Sequence, residues 1–287
     1  MTKVYKVRNL LADAERSLCP EGCLKAVGSA KLDAEILLAS CMNTDRASLY
    51  AYPEREVSKD HAANFQLLLN KRVDDYPIAY LIGNKEFWSL ELKVDQSTLI
   101  PRPETECLVE AALEYIPANR QYEILDLGTG SGAIALAIAK ERPDSKVLAV
   151  DRSQEALNVA TDNAHRHTIK NVRFMQSDWF SELAGKQFDL IISNPPYVES
   201  DDKGFSEGEI RYEPRLALDG GHQGMQAITH LIPAATHFLK PDSRLMLEHG
   251  YQQASTIQHL FSANHYKDIH IQQDYAGHDR VSFAQWP

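Results

Sequence analysis

Four cysteines in 287 residues, Cys19, Cys23, Cys41 and Cys107, are too few and too irregularly spaced for a disulfide framework. Cys19 and Cys23 stand four apart, but no second pair and no nearby histidine completes a zinc set. The expectation is reduced, mostly buried thiols in a reducing, cytoplasmic setting. Long hydrophobic runs are missing too. The longest, Ala133 to Ala139, is far too short to span a bilayer. The opening stretch MTKVYKVRNLLADAERSLC places charges where a signal peptide needs an unbroken apolar region. Basic charge is scarce: 30 Lys+Arg stand against 40 Asp+Glu, a formal net charge of −10. Residues 1–75 balance at 11 and 11, and residues 76–287 carry 19 against 29. A chain that neutralises many phosphates shows a basic excess, so a long DNA or RNA footprint is disfavoured. There is no internal repeat and no low-complexity tract.

What is present is an ordinary globular composition, 44% hydrophobic and 24% charged. The length suits one large domain or two smaller ones. Residues 1–75 read as helical. Val7, Leu10, Leu11, Ala14 and Leu18 share one helix face, as do Phe65, Leu68, Leu69 and Val73 in a segment that Ser58 can cap. Lys31–Cys41 and Thr44–Ala51 are shorter helical candidates. From Pro77 the pattern changes. Trp88, Leu90, Leu92 and Val94 alternate with polar residues, Asp95-Gln96-Ser97 offers turn chemistry, and Thr98-Leu99-Ile100 supplies a return strand. That hairpin reads as a linker over 76–102. Pro103 then opens a helix carrying Leu108, Val109, Ala112, Leu113 and Ile116.

Beyond it strands and helices alternate. Strands fit Glu123–Leu127, Lys146–Val150, Val172–Gln176, Phe188–Ser193, Arg244–Glu248, Ile269–Gln273 and Val281–Ala284. Helices fit Gly132–Arg142, Gln154–Arg166, Met225–Leu239 and Gln252–Ala263. This alternation predicts an α/β fold with a doubly wound parallel sheet over 103–287. The short loop Asp274 to Arg280 permits only a hairpin, which predicts an antiparallel strand at one edge.

Two turns carry chemistry. The first, Gly128-Thr129-Gly130-Ser131-Gly132, ends one strand and opens a helix. Its glycines let backbone approach a ligand, and the helix N-terminus offers N–H groups to an anion. Asp151 closes the next strand, where a carboxylate can accept both ribose hydroxyls of a nucleoside. Asp178 can bond an adenine amino group, with Trp179 against the ring. Their plainer alternatives are a helix cap and a core aromatic. Gly128-x-Gly130-x-x-Ala133 also satisfies a dinucleotide fingerprint, so the loop alone leaves the nucleotide open.

The second turn, Asn194-Pro195-Pro196-Tyr197, follows the fourth strand, next to the first in a doubly wound sheet, so both turns face one crevice. A specified tetrapeptide of this kind arises by chance on the order of once in a thousand such chains. Two prolines remove N–H donors and stiffen the backbone. The Asn194 side-chain oxygen and the Pro195 carbonyl can then accept both N–H bonds of an NH₂ group, with Tyr197 stacked on its flat face. That chemistry favours S-adenosylmethionine over NAD.

These motifs resemble the class I S-adenosylmethionine-dependent methyltransferases that act on amino nitrogens. Pro77-Ile-Ala-Tyr-Leu-Ile-Gly83, Phe87, Ile100-Pro-Arg-Pro-Glu-Thr-Glu106, Tyr212-Glu-Pro-Arg-Leu-Ala-Leu-Asp-Gly-Gly221 and Ala276-Gly-His-Asp-Arg-Val281 resemble the HemK/PrmC family. The resemblance implies methylation of the side-chain amide nitrogen (N5) of the glutamine in the Gly-Gly-Gln loop of peptide chain release factors. It also implies a seven-stranded sheet with a reversed last strand, and a helical domain over 1–75 that helps dock the release factor. By the same resemblance Gly128 to Gly132, Asp151, Trp179 and Asn194 contact the cofactor, and Asn194 to Tyr197 hold the glutamine. Asn194, Pro195 and Tyr197 are the catalytic candidates. S-adenosyl-L-homocysteine would be the product, with no metal, no direct nucleic-acid partner, no membrane, and a monomeric enzyme.

Glu104 stands where the family is expected to carry Asp, and Gln223-Gly224 where Asp-Gly is expected. The acids Asp201 and Asp202 read as a solvated face of the long connection 198–223. Tyr212 to Gly221 are expected to close the glutamine pocket. The histidines, His165 and His167 among them, read as surface residues. Rival readings are a ribosomal-protein glutamine methyltransferase, a nucleic-acid adenine-N6 or guanine-N2 methyltransferase, and, from another class, an NAD-binding oxidoreductase or a non-catalytic scaffold.

Overall fold

The computed structural model describes residues 4–19 and 30–287, so the expectation for Cys23 lies outside the described residues. The chain divides into two compact units, Met1–Gly83 and Asn84–Pro287. The first contains helices α1 (Val7–Leu18), α2 (Ala30–Cys41), α3 (Arg46–Ala51), α4 (Lys59–Val73) and α5 (Ile78–Ile82), with strands β1 (Tyr5–Lys6) and β2 (Glu56–Val57) paired antiparallel. Caps place the helix starts. The Ser58 hydroxyl accepts the His61 N–H at 3.1 Å, and Asp45 Oδ1 accepts that of Ser48 at 2.7 Å. Val7, Ala14, Leu37, Leu38, Leu49, Phe65 and Leu69 form the core. Val73, expected on the apolar stripe, ends α4 and stands half in solvent. The unit closes after Gly83 rather than at residue 75, because Ile78, Leu81 and Ile82 of α5 pack on this helical core.

In the second unit the hairpin differs from expectation. Strands β3 (Asn84–Phe87) and β4 (Leu90–Lys93) pair across Trp88-Ser89, both at positive φ (+51° and +54°). Those values are the signature of a two-residue turn matched to strand twist, reached here without the usual Asn-Gly. Asp95 does build a turn, accepting the Ser97 N–H at 2.9 Å. Thr98–Ile100, however, form no strand: the Ile100 N–H is taken by the Glu213 side chain at 3.0 Å. A short 3₁₀ turn, Pro103–Thr105, leads into α6 (Glu106–Tyr115). Leu108, Val109, Ala112 and Ile116 are buried as read, and Cys107 with them.

The remaining elements are β5 (Glu123–Leu127), α7 (Ala133–Glu141), β6 (Lys146–Asp151), α8 (Gln154–Arg166), β7 (Val172–Gln176), β8 (Phe188–Ser193), α9 (Gln226–Ala235), β9 (Leu239–Glu248), α10 (Ala254–Ala263), β10 (Lys267–Gln273) and β11 (Asp279–Gln285). They build a seven-stranded sheet in the order β10-β11-β9-β8-β5-β6-β7. Strands β5 to β9 run parallel, and β11 runs antiparallel to both its neighbours. The reversed strand is thus not at an edge. Burial explains the insertion: Val281, Ser282 and Ala284 of β11 are wholly covered, whereas β10 is exposed or half-exposed throughout, as an edge strand can be. Helices α6 and α7 pack on one face of the sheet, α9 and α10 on the other. No helix among the described residues is long and apolar enough to cross a membrane.

One buried side chain ties the hairpin to the rest. Asn163 of α8 accepts the Lys93 N–H at 2.7 Å and donates to the carbonyls of Lys93 (3.0 Å) and Ser131 (2.9 Å). Removing it orphans three backbone groups, each costing about 1–3 kcal/mol before relaxation. Asn163→Ala should therefore lower stability by about 3 kcal/mol in urea denaturation. A loss no larger than an ordinary surface substitution would contradict that role.

Candidate active site

The loop after β5 is shaped by Gly128, Gly130 and Gly132, at φ of +72°, +56° and +84°. The N–H groups of Gly128 and Thr129 both donate to the Val150 carbonyl, at 2.9 and 3.0 Å, so the loop hangs from the end of β6. A Cβ on Gly132 would meet Ala160 Cβ at 3.1 Å, which keeps α7 close to α8. A Cβ on Gly130 would meet nothing within 4 Å. Thr129 and Ser131 are turned inward. The Thr129 hydroxyl donates to the wholly buried Asp126 at 2.7 Å. Asp151 accepts the Gly130 N–H through Oδ2 and the Ser153 N–H through Oδ1, each at 2.9 Å. Burial pushes its carboxyl above the usual range, against the pull of those N–H groups.

Strand β8 ends beside β5, where the Ser193 hydroxyl donates to the Leu127 carbonyl at 2.7 Å. The Asn194-Pro195-Pro196-Tyr197 turn begins there. The Asn194 Nδ2 donates to Thr105 Oγ1 at 3.2 Å, and the Tyr197 hydroxyl donates to Glu248 Oε1 at 3.0 Å. Burial beside that carboxylate raises the Tyr197 phenol, and burial pushes Glu248 up to about 7. A cavity of about 1130 Å³ lies between the two turns. Gly128, Gly130, Asp151, Asp178, Trp179, Asn194 and Pro196 line it, and Thr129, Ser131, Gly132, Pro195 and Tyr197 do not.

The connection between β8 and α9 runs along the same cavity. Val198 N–H donates to Leu218 O at 3.0 Å, and Gly220 N–H returns to Val198 O at 2.8 Å. Gln253 Nε2 spans the carbonyls of Tyr197 (3.1 Å) and Gln223 (3.0 Å). Gly224 must be glycine: a Cβ would fall 2.0 Å from the Tyr197 carbonyl oxygen. Pro214, Arg215, Leu216 and Ala217 form part of the cavity wall. The buried Glu213 pairs with Arg102, tying this segment to the one that follows the hairpin.

Asn163 and Glu248 lie outside every motif read from the sequence, and Thr105 and Glu213 stand only within longer motifs, with no role of their own. Glu248 carried a signal: an acid that ends the apolar strand segment Leu245-Met246-Leu247 at the carboxyl edge of the sheet. One reading is corrected. His249 is not a surface residue but wholly buried, its Nε2 bonded to the Ser282 hydroxyl at 2.7 Å, because it follows β9 into the sheet interior.

Comparison with known proteins bears on the whole chain. A Methyltransferase small domain matches residues 105–208, and a PrmC N-terminal domain matches residues 9–83. A release factor glutamine methyltransferase from Salmonella typhimurium is 47% identical over 92% of this chain and 95% of that protein. One from Aliivibrio fischeri is 43% identical over 98% of this chain and 97% of its own. The chain belongs to the release factor glutamine methyltransferase family. Its fold is the class I methyltransferase fold. The solved structure of a methyltransferase from Pyrococcus furiosus is similar at a TM-score of 0.53 and 20% identity, covering 78% of this chain and 98% of that one.

The two departures expected from the family pattern take different places in this methyltransferase. Glu104 is exposed ahead of α6. Gln223 sits at φ +54°, a region Asp or Asn enters more readily than Gln, and its carbonyl is held by Gln253. Asp126 gives a test of the loop. Burial, with the Asp151 charge adding to it and the Thr129 hydroxyl opposing, pushes its carboxyl up to about 7. A carboxyl that holds its proton more tightly when folded contributes stability while protonated, and that contribution fades as pH climbs from about 4 through about 7. Asp126→Asn should therefore gain stability relative to the parent between about pH 5 and pH 8, read from urea midpoints at both ends. A difference that ignores pH would contradict it.

Proposed function

We propose that this enzyme transfers the methyl group of S-adenosylmethionine to the side-chain amide nitrogen of the glutamine in the Gly-Gly-Gln loop of peptide chain release factors, in the cytoplasm, leaving S-adenosyl-L-homocysteine. The observation that carries the reading is the state of Asn194. Its nitrogen is engaged by Thr105, and Oδ1, with no donor bound among the described residues, belongs to a residue on the cavity wall. The cavity suits the cofactor on its own terms. Gly130 presents bare backbone, Asp151 keeps lone pairs for ribose hydroxyls, and Trp179 lies 3.7 Å from the position of a Gly128 Cβ as a flat apolar surface. Asp178 stands on the same wall for the adenine amino group.

Bound there, S-adenosylmethionine supplies an electrophilic methyl group on a sulfonium. The remaining work falls to the chain. An amide nitrogen is a poor nucleophile, since its lone pair is shared with the carbonyl. Asn194 Oδ1 and the Pro195 carbonyl accept its two N–H bonds and fix its direction. Positive charge grows on that nitrogen as the bond to carbon forms, so both acceptors bind the transition state more tightly than the ground state. Holding the nitrogen in line removes most of the entropic barrier. The nitrogen turns acidic as it is alkylated, and its proton can pass to water without a strong base. The formal charge of −10 speaks against a nucleic-acid substrate.

Asn194→Ala should lower turnover about 10²- to 10³-fold, as loss of an oxyanion-type partner does, while S-adenosylmethionine affinity falls much less. Equal losses in both would make Asn194 chiefly a cofactor ligand. For the substrate, the enzyme and S-adenosylmethionine are incubated with release factor, ribosomal protein and RNA together, and mass spectrometry locates the methyl group. A methyl group found anywhere but the release-factor glutamine overturns the assignment.

A further inference from the structure

An asparagine amide has two ends of nearly the same size and opposite hydrogen-bonding sense, so shape cannot decide which one faces a substrate. With Nδ2 outward, Asn194 would confront the NH₂ of an amide donor to donor. What decides the orientation lies behind the turn. Thr105, 4% exposed and absent from the cavity wall, accepts Nδ2 at 3.2 Å. A hydroxyl both donates and accepts, so its acceptor role has to be enforced by a group that takes its proton. Glu248, at the end of β9 and 0% exposed, has its carboxyl pushed up by burial and drawn down by the nearby Thr105 hydroxyl. Its Oε1 takes the Tyr197 hydroxyl at 3.0 Å, and its buried Oε2 is an acceptor with no hydrogen-bond partner among the described residues.

We infer that Thr105 and Glu248 are positioning residues for methyl transfer: Glu248 commits the Thr105 proton to itself, Thr105 then holds Asn194 Nδ2, and Asn194 Oδ1 is left to grip the substrate nitrogen. Glu248 anchors Tyr197 as well, so one buried carboxylate orients both ends of the Asn-Pro-Pro-Tyr turn. The inference rests on Asn194 being that grip.

The test uses the full-length enzyme with release factor as substrate. Thr105→Val keeps the shape and removes the oxygen. It should lower kcat about 10²-fold, the effect of a misplaced reacting group, with the S-adenosylmethionine dissociation constant held within about threefold. Thr105→Ser should restore kcat to within about threefold. Glu248→Gln still accepts from Tyr197 but points an NH₂ at Thr105, and should lower kcat about tenfold. Combined with Thr105→Val it should add nothing, the mark of two groups acting through one contact.

Thr105→Val with parental kcat beside an inactive Asn194→Ala overturns the positioning role and leaves the grip intact. An active Asn194→Ala overturns the grip and this inference with it. Parallel losses of kcat and cofactor affinity without rescue by Thr105→Ser would reveal a structural role only, and overturn it. Should Thr105→Val not fold, parental kcat in Glu248→Gln overturns the inference and a tenfold loss supports it.

Discussion

The parallel pairing of Leu127 with Ser193 is the constraint on which the site depends. Both residues end their strands, and the Ser193 hydroxyl closes the junction by donating to the Leu127 carbonyl. Everything chemical hangs just past that point, the glycine loop from β5 and the Asn-Pro-Pro-Tyr turn from β8. A parallel ladder holds two chain ends at one strand spacing, and apolar layers on both faces keep the ladder from sliding. The cavity between the turns is a consequence of that pairing, which is why a crevice forms where the strand order reverses.

Two fully buried carboxyls flank this junction, Asp126 behind the glycine loop and Glu248 behind the Asn-Pro-Pro-Tyr turn. An unpaired charge in such surroundings is costly, and burial accordingly moves both groups to about 7. Each is nevertheless the acceptor that organises a turn, through the Thr129 hydroxyl in one case and the Tyr197 hydroxyl in the other. The design is symmetrical in kind: a stiff loop in front, a buried acceptor behind.

The long connection from Val198 to Gly224 belongs to the same scheme. Its two ends are joined by paired bonds between Val198, just past the Asn-Pro-Pro-Tyr turn, and the Leu218–Gly220 segment. The Gln253 amide bridges the Tyr197 carbonyl of the turn and the Gln223 carbonyl of the connection. Gly224 has to lack a side chain because that backbone passes so close. The Arg102–Glu213 pair joins it to the segment before α6, which carries Thr105. Pieces far apart in sequence therefore converge on one turn from three sides.

The elements of this chain were legible wherever local physics decides them. Strands such as Glu123–Leu127 and Phe188–Ser193 are short, mostly apolar segments followed by turn residues, Ser58 announces its helix, and the two chemical turns declare themselves by composition. Local pattern failed where turn chemistry pointed to the wrong place. It favoured Asp95–Ser97, yet the hairpin turns at Trp88-Ser89, with Phe87 buried and the Ile100 N–H taken by Glu213 instead of a return strand. The sequence by itself determined the residue types at the site and the strand ends that carry them. Only the tertiary structure decided that β11 enters between β9 and β10, that His249 is interior, and that Thr105 and Glu248 stand behind Asn194 and Tyr197. Those facts are contacts between segments tens to more than a hundred residues apart, and no periodicity along the chain encodes which distant side chain will meet which.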